Sequence, residues 1–99
     1  MQARIGLELA RVDGTSVLVA SAEIDLATGP ILREALADLT GRVVVDLTKT
    51  TFLDSTGIGV IAEQRARLVK GDGALVLRGP DDTVRHALEL VGLSDWIKE

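Results

Sequence analysis

Apolar and polar residues alternate at the start of the chain: Ile5, Leu7 and Leu9 interleave with Gly6, Glu8 and Ala10, the period-two pattern of a half-buried strand. Asp13-Gly14 follows as a hairpin signal, and Ser16 to Ala22 reads as a second strand antiparallel to the first. Glu23-Ile24-Asp25-Leu26-Ala27-Thr28 forms a polar exit. Thr28 or a neighbour is placed to cap a helix whose first turn suits Pro30. Leu32, Ala35, Leu36 and Leu39 then fall at helical spacing, and Gly41 ends the element. Val43-Val44-Val45 does not alternate, which predicts a strand covered on both faces, followed by a loop over 48–54. A second helix is predicted from about Ser55 to Val69. Its apolar stripe is Ile58, Ile61, Ala62, Ala66 and Val69, with Glu63, Gln64, Arg67 and Lys70 elsewhere on the wheel. Gly71-Asp72-Gly73 breaks the chain before a buried strand, Ala74 to Leu77. Gly79-Pro80-Asp81 opens a third helix with Val84, Ala87, Leu88 and Val91 inward. Gly92 stops it, and 93–97 adds a final turn.

The order β-β-α-β-α-β-α implies a small α/β sandwich, its sheet mostly parallel with an N-terminal antiparallel hairpin and flanking helices. The 99 residues fit one domain, 1–99, with no internal repeat or linker. Apolar residues make up 46% but aromatics only 2%, so the core is built from Val, Leu, Ile and Ala. A net charge of −4, with no basic cluster longer than two residues, argues against nucleic acid as a partner. The apolar runs fall far short of the roughly 20 residues that cross a bilayer, so no membrane association is expected. The first residues, Met1 to Gly6, lack the basic and apolar regions of a signal peptide. Without cysteine there is no disulfide and no thiolate metal site. A cytoplasmic protein without metal or cofactor is the expectation.

Chemistry concentrates at Asp54-Ser55-Thr56-Gly57, where a hydroxyl falls at the predicted start of a helix. Free backbone N–H groups and the positive end of the helix dipole gather there. Ser55 in that position can be a cap, a nucleophile or a phosphate acceptor. As a nucleophile it needs a base and an oxyanion hole. The only histidine, His86, lies on the third predicted helix and reads as a surface or boundary side chain. The glycine two places before the serine of a nucleophile elbow is missing. Paired-carboxylate and zinc-ligand motifs are also absent from the sequence, so no catalytic role is expected. Gly57-x-Gly59-x-x-Ala62 matches a relaxed dinucleotide fingerprint, but about ten residues separate it from Leu47. Small residues that let a helix approach the sheet explain it better. As a cap, Asp54 or Ser55 contributes about 1 kcal/mol, and a cap serine at an exposed helix start remains within reach of another protein.

Val43-Val44-Val45-Asp46-Leu47-Thr48 through Phe52-Leu53-Asp54-Ser55-Thr56-Gly57 closely resembles the STAS domain family, most of all the bacterial anti-sigma factor antagonists. Glu23 to Thr28 followed by Leu32-Arg33-Glu34-Ala35-Leu36, Gly73 to Leu77 and Val91-Gly92-Leu93 fit the same family, so the resemblance spans nearly the whole chain. It implies a non-catalytic regulator of transcription. The unphosphorylated form binds an anti-sigma factor that is also a serine kinase and so releases the sigma factor. Phosphorylation of the serine that matches Ser55 ends the binding, and a serine phosphatase restores it. Two departures stand out: Ala22, where many relatives have glycine, and Thr56, a second hydroxyl beside the acceptor.

The expected docking patch combines Asp25, Leu26 and Thr28 with Asp54, Ser55, Thr56 and Gly57 and the outward side of the second helix at Gly59, Val60 and Glu63. Val60 lies off the predicted stripe and reads equally as a peripheral core contact, so its exposure bears on that assignment. Asp25 reads either as a loop carboxylate or as a contact. Trp96 reads as a staple for the last turn, with a partner anchor as the alternative. Two other functions compete: a small-molecule or nucleotide-sensing module within a larger signalling assembly, and a hydrolase using Ser55.

Overall fold

Asp13 (φ 51°) and Gly14 (φ 81°) both take left-handed conformations and close a two-residue turn between β1 (Ile5–Val12) and β2 (Thr15–Ile24). The turn sets an antiparallel register from Val12↔Thr15 to Ile5↔Ala22. α1 (Gly29–Ala37) leads to β3 (Arg42–Leu53), α2 (Ser55–Lys70), β4 (Ala74–Arg78) and α3 (Asp82–Leu90), and a 3-10 turn follows at Ser94–Trp96. The structure, a computed structural model, describes residues 5–98. The strand order is β1-β2-β3-β4, and both β2–β3 and β3–β4 are parallel. The predicted α/β architecture, with its antiparallel hairpin and parallel remainder, is the one observed.

All three helices pack on one face of the sheet. Leu18, Ala20, Val43, Val45, Leu47, Leu75 and Leu77 meet Leu32 and Leu36 of α1, Val60, Ile61 and Leu68 of α2, and Val84 and Leu88 of α3 in a single cluster. Val44 lies outside that cluster, on the opposite face, where no described helix covers it. It is buried by its position mid-sheet, in register between Val17 and Val76. The continuous valine run therefore reflects a central strand, not helices on both sides. Leu39 is buried although α1 ends at Ala37, and Trp96 and Ile97 pack against the core as the staple reading expects. Arg65 stacks on Trp96, 4.6 Å from the ring centroid.

Three local expectations are corrected. Residues 48–53 continue β3 instead of forming a loop. Their pairing runs Lys49↔Ser21, Thr50↔Ala22, Phe52↔Glu23 and Leu53↔Ile24, with register shifts after Val19 and after Ala22. Those shifts break the alternation, so a threonine-rich strand reads as a polar linker. The buried face of α2 is Gly57, Val60, Ile61, Gln64 and Leu68, while Ala66 and Val69 are exposed. Polar Gln64 disguises that stripe. Its Oε1 accepts from Arg67 Nε at 2.8 Å, and Arg67 Nη2 donates to the carbonyls of Leu36 and Leu39, both at 2.9 Å. The inward polar pair thus satisfies carbonyls left open where α1 ends. Finally, α3 stops at Leu90, which leaves Val91 exposed.

Ala22 adopts φ 71° beside the second register shift, a conformation that costs a side-chain-bearing residue about 1–2 kcal/mol. Ala22→Gly is therefore expected to stabilise the fold by up to about 1 kcal/mol, part of the strain relief being offset by a more flexible unfolded chain. A thermal melt showing no gain would contradict this.

On the helix-free face, Asp46 pairs with Arg78 at 2.8 Å and accepts from the Thr48 N–H (2.9 Å) and hydroxyl (2.6 Å). Burial pushes the Asp46 carboxyl up, but the Thr48 hydrogen bonds and the Arg78 guanidinium outweigh it and hold the carboxyl below its ordinary value. Its folded-state value thus lies below the unfolded one. The stabilisation is complete above about pH 5 and drains away as the pH falls below about 4. Asp46→Asn is expected to cost about 1 kcal/mol at pH 7, since Arg78 is partly exposed, and less at pH 3. Urea melts at the two pH values measure the difference.

Candidate functional site

Where β3 ends, the Asp54 N–H donates to the Ile24 carbonyl at 3.2 Å, tying the ends of two adjacent parallel strands together. Asp54 then caps α2: its Oδ1 accepts from the Gly57 N–H at 3.0 Å, and its carbonyl accepts from Ile58 at 2.9 Å. The cap is Asp54, so Ser55 is released from that task. Ser55 is the first residue of α2, is exposed, and its hydroxyl makes no hydrogen bond to any described residue. An anion attached there would meet the N–H groups and positive dipole of the helix, with the Asp54 carboxylate beside it.

The loop after β2 closes on itself. Asp25 Oδ1 accepts from the N–H groups of Ala27 (2.9 Å) and Thr28 (3.1 Å). The Thr28 hydroxyl accepts from the Asp25 N–H and donates to the Glu23 carbonyl, both at 2.8 Å. That arrangement pushes Leu26 outward, leaving it 76% exposed. Two glycines bring the loop to the start of α2. A Cβ on Gly57 would sit 2.6 Å from Ile24 Cγ2 and Leu53 Cδ1, and one on Gly29 would sit 3.1 Å from Thr56 Cγ2. At Gly57 only bare backbone permits this approach, and at Gly29 a side chain would have to push Thr56 back by a few tenths of an ångström.

Leu26, Ser55, Gly59 and Glu63 are thus exposed at this end of the molecule, with Asp25, Asp54 and Thr56 half-buried. Thr28, Gly57 and Val60 are not on the surface. Val60, at 1% exposure, points into the core, and the other two are buried beneath the loops. Their placement in a docking patch is corrected: they shape it from below. Glu63 pairs with Arg33 of α1 at 2.9 Å, both side chains being about half exposed, so the pair adds little stability but fixes a carboxylate near the patch. Phe52 was not singled out by sequence reasoning. It is 46% exposed on β3, close in sequence to Ser55. A lone aromatic in a run of threonines was the available signal. His86 is exposed on α3.

A family model described as the STAS domain matches residues 7–99. The chain belongs to the STAS domain family. Among curated relatives of this STAS domain is the anti-sigma-B factor antagonist of Listeria monocytogenes, 38% identical over 90 residues, covering 87% of this chain and 78% of that protein. An anti-sigma factor antagonist from Mycobacterium paratuberculosis superposes with a TM-score of 0.83 at 31% identity, covering 93% of this chain and 81% of the other. The Bacillus cell fate determinant SpoIIAA in its phosphorylated form gives a TM-score of 0.75 at 21% identity, covering 94% of this chain and 89% of the other, which speaks to the fold alone. Among the described residues, no helix is long and apolar enough to cross a membrane.

Proposed function

We propose that this STAS domain is an anti-sigma factor antagonist: it binds an anti-sigma factor with serine kinase activity, frees the sigma factor, and is switched off when that kinase phosphorylates Ser55. A serine phosphatase returns it to the binding form. The observation that carries this reading is the exposed hydroxyl of Ser55 on the first turn of α2, free of hydrogen bonds to the described residues, with the exposed Leu26 on the loop that meets that helix start. The names of the Listeria and Mycobacterium relatives support the same role. The chain serves as a binding module. It offers a kinase an accessible alcohol, and no described side chain is hydrogen-bonded to that alcohol to act as its base.

A phosphate adds about −1.5 to −2 charges at neutral pH. Within the free domain, the helix terminus compensates much of that charge. At a closed interface it meets desolvation and like charges, including those of Asp54 and Asp25. Incubation with candidate kinases from the same genome and ATP, followed by peptide mapping, tests the proposal. Phosphate on Ser55 that vanishes in Ser55→Ala is the expected result, and labelling elsewhere, Thr56 included, would refute the site assignment.

A further inference from the structure

β1 is an edge strand. Among the described residues it pairs with β2 alone, and it carries neither proline nor bulge. Beside it runs an open apolar groove lined by Leu7, Leu9, Ile31, Ala35 and Leu39 and rimmed by Glu34 and Asp38. Leu9 is 53% and Ile31 40% exposed there. An unpaired strand next to an exposed apolar groove is a surface that another strand can complete. We propose that the occupant is β1 of a second copy of this chain, joined antiparallel to form one continuous sheet. The inference does not depend on the proposed switch at Ser55.

The hairpin dictates which backbone groups are free. In a two-residue turn the flanking pair, Val12 and Thr15, exchanges both hydrogen bonds, and the pattern then alternates along the ladder. Gly6, Glu8, Ala10 and Val12 thus spend their N–H and C=O groups on β2. Ile5, Leu7, Leu9 and Arg11 turn theirs outward, with side chains on the helix side of the sheet. A symmetric partner must bond through these odd positions. Centring the pair on Glu8 or Arg11 sets like charges face to face. Centring it on Leu9 extends the pairing from Gly6 to Val12 without that conflict. Leu9 then meets Leu9, and Leu7 meets Arg11 of the second copy. Arg11 thereby arrives on the α1 side, where Glu34 and Asp38 await a cation. Self-complementary charge and a filled groove are what favour a second copy over a foreign strand.

The chain has no cysteine, so introduced thiols report the register cleanly. Facing residues of a hydrogen-bonded antiparallel pair lie about 5.5 Å apart at Cα, within disulfide reach. Under mild oxidation at tens of micromolar, Leu9→Cys is expected to form a covalent dimer. Arg11→Cys and Leu7→Cys alone should remain monomeric on denaturing gels but cross-link to each other when mixed. Sedimentation of the unaltered chain should show a dimer that Leu9→Lys dissociates; because Leu9 is exposed, that variant should keep its circular dichroism. A monomer at every concentration, or equal cross-linking of the Leu9→Cys and Arg11→Cys variants, would overturn the proposal and leave the edge to a strand of another protein.

Discussion

Gly57→Val is expected to destabilise the domain by about 3 kcal/mol or more, enough to lower the melting temperature by roughly 15 °C in a chain of this size. The cause is local. The first added carbon already falls 2.6 Å from Ile24 Cγ2 and Leu53 Cδ1 and 3.0 Å from the Ile24 carbonyl oxygen, and valine adds two more methyl groups. Relief requires α2 to lift off the ends of β2 and β3, which strains the Asp54-to-Ile24 hydrogen bond. Gly59, two residues on, is the control. A Cβ there meets nothing within 4 Å, so Gly59→Ala should raise stability by up to about 1 kcal/mol through helix propensity alone. Calorimetry of the two variants should move in opposite directions. If both glycines proved equally tolerant, the close approach of the two loops would be wrong.

Ser55→Asp is expected to weaken binding to the cognate anti-sigma factor by at least a hundredfold, about 3 kcal/mol, while Ser55→Ala binds as the unaltered chain does. The same Ser55→Asp change should shift the stability of the free domain by less than about 0.5 kcal/mol. An acidic residue in the first turn of α2 gains from the helix dipole and loses against Asp54. Titration calorimetry reads the first effect and a denaturant melt the second. Equal affinities for the aspartate and alanine variants would detach charge at Ser55 from partner choice. A large loss of stability would mean that any weaker binding came from unfolding.

Most of the fold was legible in the sequence because its signals are local. Asp13-Gly14 announces the hairpin, the Gly71-Asp72-Gly73 break and Pro80 punctuate the elements, and Val43 to Val45 marks the central strand. Legibility failed where a feature depends on a partner distant in sequence. Thr48 to Leu53 looks polar because two register shifts spoil its alternation, yet it is held by β2. Gln64 looks like a solvent residue until Arg67 and the end of α1 are placed beside it. That single misreading rotated the perceived face of α2 and put Val60 on the surface. At the candidate site, the Asp54-Ser55-Thr56-Gly57 block stood out as a unit. Its division into a capping Asp54, a free Ser55 and a buried Gly57 depended on the strand ends that meet there.

The bond from the Asp54 amide to the Ile24 carbonyl has one further consequence. It fastens the platform under Ser55 through main-chain atoms, without using the Ser55 hydroxyl. Such a platform stores no history. In the proposed switch, adding or removing a phosphate there leaves nothing to refold, so the tempo of response would be set by the kinase and phosphatase and by how quickly the two proteins part.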